Sequence, residues 1–258
     1  MNEKLLKLKR FNIIMGFFHL IQGTFMLIAA ITIEKVASFK PIVQSNFLMF
    51  DETKMTLVQN QQNVFELPFG ILVASFLLMS ALAHFIISIP KFNKVYQEDL
   101  LRGMNKFRWF EYMISSSVMI ILIATLFGVF DIGALILIFG INAVMNLAGY
   151  LMEELNQYTP NTKWSPFIVG SIAGILPWIV IVMFAFGNAD PAEVPWFVYA
   201  IFGSYFVFFN LFPINMILQY KKVGKWKDYL YGERTYIVLS LVSKSLLAWL
   251  VFSGVMQP

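Results

Sequence analysis

The sequence predicts an all-α membrane protein of seven transmembrane helices with a cytoplasmic N-terminus, and three observations predict it. The chain is 59% hydrophobic and 13% charged, against about 45–50% apolar and about 25% charged for soluble chains. Its apolar residues gather into seven runs, each near or beyond the ~20 residues that a spanning helix needs. Its lysines and arginines fall very unevenly among the segments that join those runs.

The runs lie at 11–32, 67–90, 107–128, 132–152, 166–187, 195–219 and 236–256. The first is too long for the core of a signal peptide and reads as an uncleaved span. The loop after it, about 33–66, contains "NFLMFDETKMTLV". Two short apolar stretches there flank Asp51–Lys54, the pattern of a β-hairpin with a tight turn, with an irregular loop as the alternative. A lone hairpin is marginal in water, so this one is expected to pack on another surface, such as a second protomer. No composition shift or internal repeat divides the later runs. Residues 1–258 therefore read as one domain, and an inverted-repeat transporter is disfavoured.

Seven spans put the termini on opposite sides. One side carries fifteen of the nineteen basic residues, in the N-terminal tail and in the segments after the second, fourth and sixth runs. The other side has Lys35, Lys40 and Lys54. The positive-inside rule makes the first side cytoplasmic and leaves the C-terminus extracellular. The net charge of +4 is thus topology and contact with the lipid bilayer, and nucleic acid is not an expected partner. The absence of cysteine excludes disulfides, thiolate metal sites and a cysteine nucleophile. With two histidines no metal centre is expected, and no nucleophile–base set or phosphate loop points to an enzyme.

Four ionisable residues lie well inside the runs, away from their edges: His19, His84, Glu111 and Lys244. At 1.5 Å per residue, all four sit roughly 6–12 Å from the basic side of a ~30 Å core. Polar neighbours share their helix faces: Gln22 with His19, Ser80 with His84, Ser115 with Glu111, and Ser240 with Lys244. Tyr112 and Ser116 form a second polar pair on the third run. Buried polar groups need partners, so an internal polar cavity is expected, open or nearly open towards the cytoplasm. Structural readings stay open at this point: Glu111 paired with Arg108, histidines satisfied by packing, or a Lys244–Glu111 bridge. Lys244 is the hardest to explain structurally, because burying its charge costs at least ~2.5–3.5 kcal/mol. A desolvated lysine exposes a neutral amine that can condense with an aldehyde. A protonated imine would then need a counterion, and Glu111 is the acid at matching depth. Aromatic stretches such as "GILPWIV" and "FGSYFVFFN" offer an apolar slot.

"RWFEYMISSSVMI" (108–120), "QYKKVGKWKDYLYGERTYIVLSLVSKSLLAW" (219–249) and the intramembrane histidines give the whole chain a resemblance to the heliorhodopsins. The resemblance implies a seven-helix, rhodopsin-like retinal protein with the inverted topology that the charge count suggests independently. It implies that Lys244 forms the Schiff base with retinal, all-trans in the dark, that Glu111 is the counterion, and that Ser240 hydrogen-bonds nearby. It implies a polar cavity lined by His19, Gln22, Ser80, His84, Tyr112 and Ser116, and a polyene pocket with Asn142, Met145, Pro177, Phe206 and Phe209. Met216 departs from the family's pattern, where a polar residue such as Gln is expected. A homodimer with the first outside loop at its interface is also implied.

The function expected is light sensing without net ion pumping, with an unidentified cytoplasmic signalling partner. Pumps of similar architecture place a carboxylate at the position of Ser240 and another deeper in the third span, where this chain is apolar. The alternatives are light-driven proton or ion transport, and a seven-helix receptor or transporter without retinal.

Overall fold

The computed structural model describes residues 3–187 and 196–256. The first residue of the expected sixth span, 195, lies outside them, as do the extreme termini of the chain. Seven described helices are long and apolar enough to cross a membrane: α1 (Glu3–Thr32), α3 (Phe69–Ile86), α5 (Lys106–Leu126), α6 (Ile132–Leu155), α7 (Ser165–Gly187), α8 (Trp196–Tyr220) and α9 (Tyr229–Val255). Between them lie the short α2 (Glu34–Ser38), strands β1 (Ile42–Asp51) and β2 (Thr56–Glu66), and α4 (Pro90–Leu101). Spans one and seven begin earlier than their apolar runs, at Glu3 and Tyr229.

The helices bury one stripe each and turn apolar side chains outward. On α1 the buried residues Leu5, Leu8, Asn12, Gly16, His19, Gly23 and Met26 recur every three or four positions. Ile14, Phe17, Phe18, Ile21, Phe25 and Ile28 face away from the bundle. In water that face would be a liability; in a bilayer it is the lipid contact, and the buried stripe carries the small and polar residues through which membrane helices associate. Gly16 is one such position: an added Cβ would stand 3.0 Å from the Phe85 ring and 3.1 Å from His84 Cβ. Its absence lets α1 close on α3 at the level of the two histidines.

α1 packs on α3 and α9, α3 on α5, α5 on α6, α6 on α7, and α8 on α9. Trp178 of α7 closes the ring against α8, with Phe202, Phe206, Tyr205 and Phe209 around its indole. Side chains stop the orphan N–H groups at several helix starts: Asn105 accepts from Arg108 N at 3.1 Å, Asp131 from Ala134 N at 2.9 Å, and Asp228 from Leu230 N at 3.1 Å.

The hairpin is longer than its apolar tip suggests. β1 and β2 pair antiparallel from Ile42↔Glu66 to Asp51↔Thr56, with an irregularity at Val43/Gln44. Asp51 Oδ1 accepts the N–H groups of Thr53 (2.9 Å) and Lys54 (3.1 Å), which sets the turn. Its base is tied to the α5–α6 loop: Gln44 N donates to Phe130 O at 2.9 Å, and Asn46 to Asp131 at 3.2 Å. Its tip is exposed and apolar at Phe47, Leu48, Met49, Phe50 and Leu57. At the opposite, basic end α4 lies between α3 and α5, with Pro90 in its first turn and Asn93, Tyr96, Asp99 and Leu100 buried.

Candidate functional site

Lys244 is 3% exposed and sits mid-way along α9. Its ammonium has three donors, and each finds an acceptor on a neighbouring helix. Glu111 Oε1 of α5 is at 2.7 Å, Ser115 Oγ, one turn further along α5, at 2.8 Å, and Ser80 Oγ of α3 at 2.5 Å. Ser80 also donates to Glu111 Oε1 at 2.7 Å. The Tyr112 ring lies under the charge, 5.3 Å from Nζ to its centroid. Such a pair offsets the cost of two buried charges only when further hydrogen bonds support it; here the two serines complete those of Lys244, and Ser80 adds one to Glu111 Oε1.

Two spaces meet near this pair. The smaller, about 40 Å³, is lined by Asn12, Ser80, His84, Asn105, Arg108, Glu111, Tyr112, Glu233 and Ser240, with apolar Ala83, Ile87, Phe107 and Ile237 between them. A water needs ~10–15 Å³ and two or more polar partners, and this space offers both. The larger, about 330 Å³, runs from Lys244 between α5, α6, α7 and α8. Its walls are mostly aromatic and apolar: Trp178, Tyr205, Phe206, Phe209, Phe212 and Met145. Gly174 leaves room beside Met145, because a Cβ there would come within 2.6 Å of Met145 Sδ. Tyr112 borders both spaces, Lys244 borders the larger one, and its partner Glu111 borders the smaller.

The residues singled out from the sequence divide between these spaces. Ser80, His84, Tyr112, Glu111 and Ser240 line the small polar one. His19 adjoins it through His84, the two rings stacked at 5.6 Å, and His84 Nδ1 meets Asn12 Oδ1 at 2.8 Å. Ser116 opens instead to the large space and accepts from Asn142 (2.8 Å) and Asn146 (3.0 Å). Gln22 stands apart on the outer side of α1, where it accepts from Trp249 Nε1 at 3.2 Å and donates to Phe18 O. Met145, Phe206 and Phe209 line the large space, as does Met216. Asn142 and Pro177 are buried behind its wall, on α6 and α7.

Sequence reasoning missed a second charged cluster at the basic end. Arg108 does not pair with Glu111. Its guanidinium bridges Glu153 of α6 and Glu233 of α9, with Nη2 at 2.5 Å from Glu153 and Nη1 on Glu233. All three are buried, and Arg108 lies over the Tyr236 ring at 4.0 Å. Glu153 also accepts from Asn105 N (2.9 Å), Trp109 Nε1 (2.6 Å) and Tyr229 Oη (3.0 Å). Glu233 also accepts from Asn105 Nδ2 (2.7 Å) and Tyr96 Oη (3.2 Å), and Tyr96 accepts from Asn12 at 3.2 Å. Burial, and after it the Glu233 carboxylate, push the Tyr96 phenol well above its usual range, so it stays a neutral donor. Arg108, Glu153 and Glu233 each fall at or just beyond the edge of an apolar run, and that shared edge position on three helices was the available signal.

Among known proteins, the family model described as Heliorhodopsin matches residues 8–256. No curated protein matches the chain.

Proposed function

The chain belongs to the heliorhodopsin family, and on that premise we propose that it is a light-sensing photoreceptor without net ion pumping, its retinal carried by Lys244. Membership makes it a retinal-binding, light-responsive membrane protein; the residue roles, the sidedness and the output are our reading. One observation carries it: Lys244 Nζ stands where a polar network containing Glu111 meets an apolar cavity of about 330 Å³. That volume lies within the ~300–1,000 Å³ of small-molecule sites. Its aromatic walls, and the cleft kept open by Gly174, fit a long apolar aldehyde.

All-trans-retinal, joined to Lys244 as a protonated Schiff base, supplies the absorption of visible light. The Lys244 nitrogen would then keep one N–H where the ammonium had three. Glu111, Ser80 and Ser115 compete for it, and the charge-assisted bond to Glu111 wins. Glu111 is thereby the counterion, with Ser240 in the wall of the adjoining polar space. Trp178, Phe206, Phe209 and Met145, which line the larger space, would hold the chromophore, with Asn142 and Pro177 buried nearby on α6 and α7. Towards the hairpin end the interior is closed by Phe76, Ile120, Ile123, Leu247, Ala248 and Val251. A proton relay needs a chain of titratable groups. A proton leaving Lys244 meets such groups on the basic side, which supports sensing over transport.

The excess of lysine and arginine makes that side cytoplasmic. The exposed hairpin tip suits a homodimer contact, and a signalling partner would meet the cytoplasmic surface. We read the chain as one retinal-binding domain.

Adding all-trans-retinal to a Lys244→Ala variant tests this reading. The folded variant should form no visible pigment. A covalent, red-shifted adduct in that variant would place the chromophore elsewhere and overturn it.

A further inference from the structure

We propose that the Arg108–Glu153–Glu233 cluster is a second proton-binding site, and that Glu233 receives the proton that leaves Lys244 on illumination. The inference rests on the assignment of Lys244 and Glu111 above. It begins from a charge count: the cluster holds two carboxylates against one guanidinium, all within the bundle. Lys244 and Glu111, by contrast, balance each other. With both carboxylates ionised the cluster carries one net negative charge, shared over the hydrogen bonds of Arg108, and it has room for one proton.

The hydrogen bonds choose which carboxylate takes that proton. A carboxylate offers about four acceptor sites. On Glu153 all four are used: Arg108 and Tyr229 on Oε1, Trp109 and the Asn105 backbone on Oε2. On Glu233 three are used: Asn105 Nδ2 and Tyr96 on Oε1, and Arg108 on Oε2. Oε2 of Glu233 keeps a free lone pair.

The small polar space then supplies the route. Glu111 and Glu233 both line it, as do Ser80, His84, Asn12 and Asn105, and Glu153 does not. Its volume of about 40 Å³ admits water, which can carry a proton from one carboxylate to the other. The groups that face Glu233 come from every neighbouring helix: Asn12 of α1, His84 of α3, Tyr96 of α4, Arg108 and Glu111 of α5, Glu153 of α6, and Tyr236 on its own helix.

The step balances. The N–H bond at Lys244 breaks and its electron pair stays on nitrogen. Glu111 and water pass the proton on, and an O–H bond forms at Glu233. The Lys244–Glu111 site goes from neutral to one negative charge, and the cluster goes from one negative charge to neutral. A proton stopped at Glu111 would remain within hydrogen-bond reach of the nitrogen it left. At Glu233 the polar space separates the two.

Light-minus-dark infrared difference spectroscopy on the retinal-bound protein tests this, with Glu111→Gln, Glu153→Gln, Glu233→Gln and Glu233→Asp variants. While the Lys244 nitrogen is deprotonated, the parent should show a new carbonyl stretch of a protonated carboxylic acid. The band should vanish in Glu233→Gln, move in frequency in Glu233→Asp, and persist in Glu153→Gln. No such band in the parent overturns the inference. So does a band unchanged in either Glu233 variant, or one lost only in Glu111→Gln. If Glu233→Gln does not assemble, the parent and Glu233→Asp decide alone. A parent that forms normal pigment through Lys244 and fails these tests refutes the acceptor only. A pigment that survives Lys244→Ala refutes the assignment beneath it.

Discussion

Lys244 and Glu111 meet at 2.7 Å inside the bundle, on helices α9 and α5, with side chains 4% and 10% exposed. Removing one partner of a buried ion pair costs ~3–5 kcal/mol, whereas replacing both by apolar groups is often neutral or stabilising. In the retinal-free protein, Glu111→Leu alone should therefore lower the thermal unfolding midpoint clearly. Glu111→Leu combined with Lys244→Met should recover most of that loss. Additive losses in the double variant would mean that the pair is not coupled.

With chromophore bound, Glu111→Gln should shift absorption to longer wavelength. The carboxylate stabilises the ground state, where positive charge sits near the nitrogen, more than the excited state, where it spreads along the polyene. The variant should also hold a larger near-ultraviolet, unprotonated fraction than the parent at the same pH. His19→Ala and His84→Ala should shift the colour less. Spectral titration of the three variants checks the ranking, and an unchanged Glu111→Gln alongside a shifted histidine variant would reassign the counterion.

Gly174→Leu should hinder pigment formation while leaving the bundle intact. A Cβ there already presses on Met145 Sδ at 2.6 Å, and the Phe209 ring is 3.7 Å away. Slower or incomplete uptake of retinal, followed by absorbance, is the expected result. Uptake at the parental rate would place the polyene elsewhere.

Sidedness can be read from two single cysteines, because the chain has none of its own. Position 51 ends β1 in the hairpin, and position 222 is exposed between α8 and α9. An impermeant thiol reagent added to intact cells should label Asp51→Cys and spare Lys222→Cys. The reverse pattern, or equal labelling, would invert or dissolve the proposed topology.

The hairpin tip gives a test of assembly. Phe50 and Leu57 are opposed across the strands and both exposed. Phe50→Lys with Leu57→Lys should shift the protein from dimer to monomer in detergent, measured by light scattering. A parent that is already monomeric, or an unchanged dimer, removes the hairpin from the interface.

The spans and the hairpin were legible because both obey long-range rules. A bilayer demands some twenty apolar residues per helix, and the hairpin announces its turn at Asp51–Lys54. The meeting of Lys244 with Glu111 was legible too, since intramembrane charges at one depth must satisfy one another. The cluster at the basic end was not. Arg108, Glu153 and Glu233 lie where apolar runs stop, and a charge at a helix end is ordinarily read as reaching water. Their burial depends on α4, whose Tyr96 and Asp99 pack inward, and on the early start of α9 at Tyr229. Neither leaves a mark in a search for apolar runs. Gln22 shows the converse. Spacing put it on the face of His19, but three residues turn a helix some sixty degrees short of a full circle, enough to aim the amide at Trp249.

The central claim is that the chromophore sits on Lys244. Reducing the illuminated or dark pigment with borohydride fixes the linkage, and mass spectrometry of its peptides then names the modified residue. The account predicts a retinyl group on Lys244 and on no other lysine. A retinyl group on any of the other lysines, with Lys244 unmodified, would contradict it.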